Sequence, residues 1–233
     1  MAGAIEIRRG LRAGLPIALG YLPVAVTYGL LARQAGLSPL AATGMSVFVY
    51  AGASQFMAVK MLAAGLPVTQ IILAAFILNF RHFLMSASLS RSLKPAPPRP
   101  ALLAYGVTDE TFVAGSLSLG AEGFTSASFL AMAVLAYLSW AAGSLAGALF
   151  GALIPASLAS AMGVGLYAMF TALLVPSLKK NWRGAVVAGL SAALALGLWL
   201  AFPGFAEGWR IILATLAASA CGLALPRRRE DRG

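Results

Sequence analysis

The sequence predicts an all-α, polytopic integral membrane protein. Of its 233 residues 60% are hydrophobic and only 10% are charged, and the uncharged stretches come in helix-length runs. A soluble domain usually carries about a quarter charged residues, so a water-facing surface cannot be built from so few. Lipid is the solvent in which this much apolar material is stable. Each spanning helix needs roughly 20 apolar residues, which gives the chain about seven or eight segments and leaves nothing for a sizeable soluble domain. Helices are expected rather than strands because lipid satisfies no backbone groups and no alternating barrel pattern is present.

The first segment, about 13–32, follows a basic start with Arg8, Arg9 and Arg12. Its apolar run is too long for the core of a signal peptide, so it reads as a first transmembrane helix that also targets the chain. The remaining runs are about 39–62, 66–90, 101–120, 127–152, 158–178, 184–202 and 208–225. The prolines of Lys94–Pro100, KPAPPRP, forbid a continuous helix there and make a stiff connector. Gly143, Gly147 and Gly151 recur at every fourth position, a spacing that lets backbones approach closely in lipid. Packing within the bundle is the expected use.

The chain reads as one membrane domain, 1–233, with an internal repeat. GYLPVAVTYGLLARQAG from Gly20 resembles GVTDETFVAGSLSLGAEG from Gly106, Tyr50 falls against Tyr137, and RSLK at 91–94 against PSLK at 176–179. The matches define units 13–94 and 101–180, followed by a helix pair at 184–225. Three crossings per unit would invert one unit relative to the other, a 3+3 plan shared with many secondary transporters.

The net charge of +10 would suggest nucleic acid in a soluble protein, but here the positives lie between apolar runs and at the ends. They read as topology signals and contacts to anionic lipid, with no nucleic-acid partner. If every segment crosses and the N-terminus is cytoplasmic, most of the positives fall inside and both termini are cytoplasmic. Arg91, Lys94 and Arg99 then lie outside, against the rule. Either that cluster is tolerated, or a segment in the first half dips in and returns.

Polar residues within the apolar runs are the candidate functional groups, because a charge at membrane depth tends to face a cavity or a partner. In YAGASQF, Tyr50–Phe56, the small residues Gly52 and Ala53 beside Ser54 and Gln55 favour a helix break exposing amides and carbonyls to the ends of a zwitterion. In NFRHF, Asn79 and Arg81 are candidates for substrate contact, Arg81 through a carboxylate. His82, the only histidine, is a candidate proton relay. In TDETF, Asp109 and Glu110 are embedded acids suited to proton coupling or to an ammonium partner. Asp109 or Glu110 could instead neutralise Arg81. No Walker-type loop is present, and one histidine with one cysteine, Cys221, leaves no multi-ligand metal site, so no cofactor and no enzyme activity are expected.

In this order these motifs, with GLPIALGYLPVAVTYGLLA near the start, NFRHFLMSASL, and the late GLYAMFTALLVP, resemble the AzlC family of branched-chain amino-acid permeases from about Gly14 to Leu225. The late motif carries Tyr167 where the family often has an acid, so no charged role is carried over there. The resemblance implies export of valine, leucine and isoleucine, with methionine as a further candidate, across a bacterial inner membrane. It also implies a small hydrophobic partner of the AzlD type. The matching positions are Tyr50, Gly52, Ser54, Gln55, Asn79, Arg81, His82, Asp109 and Glu110. The expected mechanism binds an amino acid near mid-bilayer at Gly52–Gln55 and Asn79, with Asp109 or Glu110 exchanging a proton. A passive channel, a non-transporting assembly subunit and an intramembrane enzyme are the rival readings, the last lacking a catalytic pair.

Overall fold

The computed structural model describes residues 2–93, 99–119, 124–155, 182–204 and 207–225, with isolated positions between 157 and 179. The described residues fall into two units, Met1–Met169 and Phe170–Gly233, each taken by itself. The expected segment 158–178, and with it the end of the expected repeat unit 101–180, lies almost wholly outside the described residues.

The first unit contains α1 (Ala2–Gln34), α2 (Pro39–Phe48), α3 (Gly52–Ala63), α4 (Val68–Leu93), α5 (Arg99–Tyr105), α6 (Asp109–Ser118) and α7 (Ser126–Phe150), with a 3-10 turn at Gly151–Leu153. Helices α1 and α7 run parallel and touch along most of their length. Ser128 Oγ donates to Glu6 O at 2.9 Å near their starts, Ser139 Oγ donates to Ala18 O at 2.6 Å midway, and Leu30 meets Gly151 at their far ends. The glycine stripe makes this possible. A Cβ on Gly147 would lie 2.0 Å from Val26 O, and one on Gly29 would lie 2.2 Å from Ser144 O. The expected intrachain use of the Gly143–Gly151 spacing is therefore what the fold adopts.

Helix α4 is 26 residues long and runs the opposite way. Its last residue, Leu93, accepts through its carbonyl from Ser126 Oγ at the start of α7, at 2.5 Å. Its start therefore lies at the opposite end of the bundle, with the end of α1.

The stretches 39–63 and 99–118 do not cross. Ser46 and Gln55 flank the break at 49–51 and are bonded side chain to side chain at 2.8 Å. Along a continuous helix these positions would be about 13 Å apart, so the chain folds back. Helix α2 begins beside the end of α1, where Tyr28 Oη donates to Ala42 O at 3.1 Å, and α3 ends where α4 begins. Likewise α5 starts just after Leu93 and α6 leads back to the start of α7, with Gly115 packed on Phe129. Two half-length helix pairs thus enter from opposite ends and meet inside, with tips at 49–51 and 106–108.

This refines the assumption that every segment crosses, while the all-helical polytopic class stands. Four described helices are long and apolar enough to cross a membrane: Gly3–Gln34, Val68–Leu93, Ser126–Leu153 and Trp182–Ala201. Of the two options for the 91–99 cluster, the structure takes the returning segment. Arg91 at the end of α4 and Arg99 at the start of α5 lie on the same side as Arg8, Arg9 and Arg12, so the apparent exception to charge bias disappears. Tyr50 and Tyr137, paired by the sequence match, are in ring contact at 5.1 Å, yet Tyr50 marks a helix break and Tyr137 lies within unbroken α7.

Two apolar clusters hold this unit. One joins Tyr21, Tyr28, Phe56 and Trp140 around the first helix pair, and the other joins Leu89, Leu93, Leu103, Phe129 and Met132 around the second. In the second unit, α8 (Trp182–Ala201) and α9 (Glu207–Leu223) form an antiparallel pair. The Arg183 guanidinium donates to Gly222 O at 3.0 Å and Leu225 O at 2.9 Å, so a cation satisfies the carbonyl end of α9.

Candidate functional site

Sequence dictates both tips. At the first, Ser38 Oγ accepts from Ala41 N at 3.1 Å and Pro39 opens α2, while nothing after Phe48 continues it. Tyr50 then takes φ +44°, a conformation costing about 1–3 kcal/mol in a non-glycine residue. Its ring is held by Tyr105 at 6.0 Å and Tyr137 at 5.1 Å. Gly52 restarts the helix against Trp140, where a Cβ would lie 2.8 Å from the indole. The carbonyl of Val47, freed by the end of α2, accepts from Tyr137 Oη at 3.2 Å and from Tyr105 Oη.

At the second tip Thr108 is the N-cap of α6 and forms a reciprocal capping box with Thr111, whose Oγ1 also donates to Gly106 O at 2.8 Å. Asp109 and Glu110 occupy the first turn, where the helix dipole favours negative charge. The Arg81 Nη1 lies 3.0 Å from Asp109 Oδ2, joining α4 to the second tip. Of the two roles expected for the acids, Asp109 takes that of neutralising Arg81. Glu110 is only 7% exposed and has no cation within ion-pair distance among the described residues. Its Oε2 accepts from Tyr21 Oη at 2.5 Å, and Tyr21 Oη also shares a 2.7 Å hydrogen bond with Thr108 Oγ1.

The structure gathers the expected residues into one layer. Asn79 Nδ2 donates to Ser54 Oγ at 3.0 Å, and Ser54 Oγ donates to Ala51 O at 2.9 Å. Arg81 and the half-buried His82 follow on α4 and lead to Asp109. Gln55 differs from expectation. It is 0% exposed, and its Oε1 accepts from Trp140 Nε1 at 3.0 Å and from Ala51 N at 3.3 Å, while Nε2 donates to Ser46 Oγ. Its amide ties the first tip to α7 instead of facing a ligand.

Three polar atoms in the layer are buried without a hydrogen-bond partner: Tyr50 Oη, Asn79 Oδ1 and Arg81 Nε. An unpaired buried group costs about 1–3 kcal/mol. Two donors and one acceptor left open between half-helix N-termini suit a small molecule carrying both a carboxylate and an ammonium. Sequence reasoning missed Tyr21, Tyr105, Tyr137 and Trp140. Tyr21 carried one usable signal, a hydroxyl in the middle of an apolar run. The others act through a fold-back invisible to periodicity.

The comparisons with known proteins agree with this picture at the family level. The family model for AzlC protein matches residues 16–154, which include both tips and all the candidate residues. An inner membrane protein of Escherichia coli, YgaZ, is 33% identical over 94% of this chain and 89% of its own. An uncharacterized membrane protein of Archaeoglobus fulgidus is 35% identical over 82% of this chain and 84% of its own. The branched-chain amino acid transport protein AzlC of Bacillus subtilis is 23% identical over 60% of this chain and 56% of its own. No solved structure matches. With a model match over more than half its length and relatives above 30% identity along most of it, the chain belongs to the AzlC family of membrane proteins.

Proposed function

We propose that this chain is the large subunit of a secondary transporter that exports branched-chain amino acids across the cytoplasmic membrane. The observation that carries the reading is the layer between the two tips, where Tyr50 Oη, Asn79 Oδ1 and Arg81 Nε are buried and unpaired. A free amino acid supplies complementary charged ends, and α3 presents its N-terminal amides without an acid in its first turn. The aliphatic preference follows the Bacillus subtilis relative, a branched-chain amino acid transport protein. Proton coupling through a carboxylate of the second tip supplies the driving force, and a small hydrophobic AzlD-type subunit completes the assembly.

Charge bias supports a cytoplasmic N-terminus, and the basic run Arg227, Arg228 and Arg229 in the sequence favours the same side for the C-terminus. Arg8, Arg9, Arg12, Arg91 and Arg99 share one side of the first unit, while Arg33 and Lys60 lie toward the other, and the richer side is expected inside.

Efflux of valine from cells loaded with a valine-containing dipeptide tests the reading, with the chain and its partner present or deleted. Their presence should speed efflux at least several-fold, with saturation, and Asn79→Ala at equal protein level should remove most of the gain. Equal efflux in both strains overturns the transport reading. Non-saturating, pH-independent flux would make it a channel. Loss of assembly alone on changing Asn79 would make it a scaffold.

A further inference from the structure

The two tips are matched in a way that separates their roles. Counting from Tyr50 and from Tyr105, which touch at 6.0 Å, the fifth following residue is Gln55 in one pair and Glu110 in the other. Both are buried in the first turn of the returning half-helix. Each accepts a hydrogen bond from an aromatic side chain of a long helix: Gln55 Oε1 from Trp140 Nε1 of α7 at 3.0 Å, Glu110 Oε2 from Tyr21 Oη of α1 at 2.5 Å. The two aromatic donors also meet, Tyr21 and Trp140 lying edge to face at 5.2 Å. The arrangements differ in one chemical respect: an amide cannot titrate and a carboxylate can.

The first tip is also the more heavily tied. Gln55 makes three hydrogen bonds, Ser46 Oγ continues to Ser144 Oγ at 2.6 Å, and Gly52 fits against the Trp140 ring with no room for a Cβ. The second tip has fewer side-chain ties to the long helices: Tyr21, the Arg81–Asp109 pair and the close approach of Gly106 to Ala133 of α7, with Tyr105 Oη reaching across to Val47 O of the first tip. Asp109 is committed to a permanent cation. The groups facing Glu110 are Tyr21 of α1, Tyr50 of the first tip, and its own neighbours Thr108 and Asp109. Arg81 of α4 stands behind Asp109, with His82 next to it in the chain. Tyr105 of α5 and Tyr137 of α7 lie beyond Tyr50.

We propose that Glu110 is the group that takes up and releases the coupled proton, that Tyr21 positions it, and that the 99–118 pair is the responsive half of the site while the 39–63 pair is the fixed half. The inference rests on the transport reading. In each cycle a hydronium ion on one side gives its proton to a Glu110 carboxylate oxygen, its own O–H bond breaking to leave water and the carboxylate becoming neutral; on the other side that O–H bond breaks and the proton passes to a water molecule, which becomes hydronium. On protonation the Tyr21 hydrogen bond loses its charge assistance, roughly half its strength, and frees the second tip to shift. Substituting Glu110→Gln gives the second tip the amide that the first tip already carries.

Membrane vesicles from cells expressing the full chain with its partner provide the test, using labelled valine, exchange against internal valine, and net flux driven by an imposed pH gradient. Glu110→Gln should raise the ratio of exchange to gradient-driven flux at least tenfold. Tyr21→Phe should keep the gradient response but move the pH midpoint of net flux by at least half a unit, which a purely structural tyrosine would not do. A Glu110→Gln protein that follows the gradient as the unaltered chain does overturns the proposal and leaves the transport reading intact. If Glu110→Gln fails to accumulate, an unmoved midpoint in Tyr21→Phe overturns it instead. Absence of valine exchange in the unaltered chain overturns the transport reading, and this proposal with it.

Discussion

Gln55 and Trp140, far apart in sequence, share a 3.0 Å hydrogen bond at the centre of the first unit, with Gln55 fully enclosed. The bond closes the tip of a returning helix pair onto a long helix. It turns the most polar residue of YAGASQF from a ligand contact into a tie.

Gln55→Leu should therefore act on stability. The change strands Trp140 Nε1 and Ala51 N, while Ser46 Oγ keeps its bond to Ser144 Oγ, and each buried unpaired group costs about 1–3 kcal/mol. The melting temperature of detergent-purified protein should fall by several degrees. A double-mutant cycle with Trp140→Phe should show coupling of about 1 kcal/mol between the two positions.

Asp109→Asn leaves Arg81 without its counter-charge. With the pair a quarter to a third exposed, the loss should be on the order of 2 kcal/mol, less than the roughly 3–5 kcal/mol of a fully enclosed pair. Inserted protein measured by fluorescence-detected size exclusion should drop. The exchange Arg81→Asp with Asp109→Arg should recover part of it, and a double exchange worse than either single change would contradict a direct pairing.

Backbone contact between α1 and α7 makes Gly147 intolerant. Even Gly147→Ala places a Cβ 2.0 Å from Val26 O, whereas Gly20→Ala meets nothing within 4 Å. Expression as a monodisperse peak should collapse for Gly147→Ala and be preserved for Gly20→Ala.

The returning pairs invert the sidedness of two connections. In a protein with Cys221→Ser, a cysteine at Ser92 should react with an impermeant thiol reagent from the same side as an N-terminal tag, and one at Ala64 from the opposite side. A second segment that crossed the membrane would reverse both assignments.

Much of the fold was legible in the chain. The all-helical class and the long apolar runs follow from the cost of unpaired backbone groups in lipid, which is set by composition and length alone. The intrachain glycine seam follows from spacing, because small residues every fourth position share one helix face. The polar motifs around Ser54, Asn79, Arg81 and Asp109 stood out for the same reason, since each is costly in lipid unless partnered.

Which partners those groups have is a different matter. Nothing local says that 39–63 and 99–118 turn back, because a 20-residue apolar run broken by Tyr50 or by Gly106 reads the same whether it crosses or returns. The turning is decided by contacts distant in sequence: Leu93 with Ser126, Gln55 with Trp140, Tyr21 with Glu110. Sequence thus determined what must be buried or paired in a membrane, through a solvation cost each residue carries alone. Tertiary structure decided which acid meets a cation and which meets a tyrosine, since that choice depends on helices brought together only by packing.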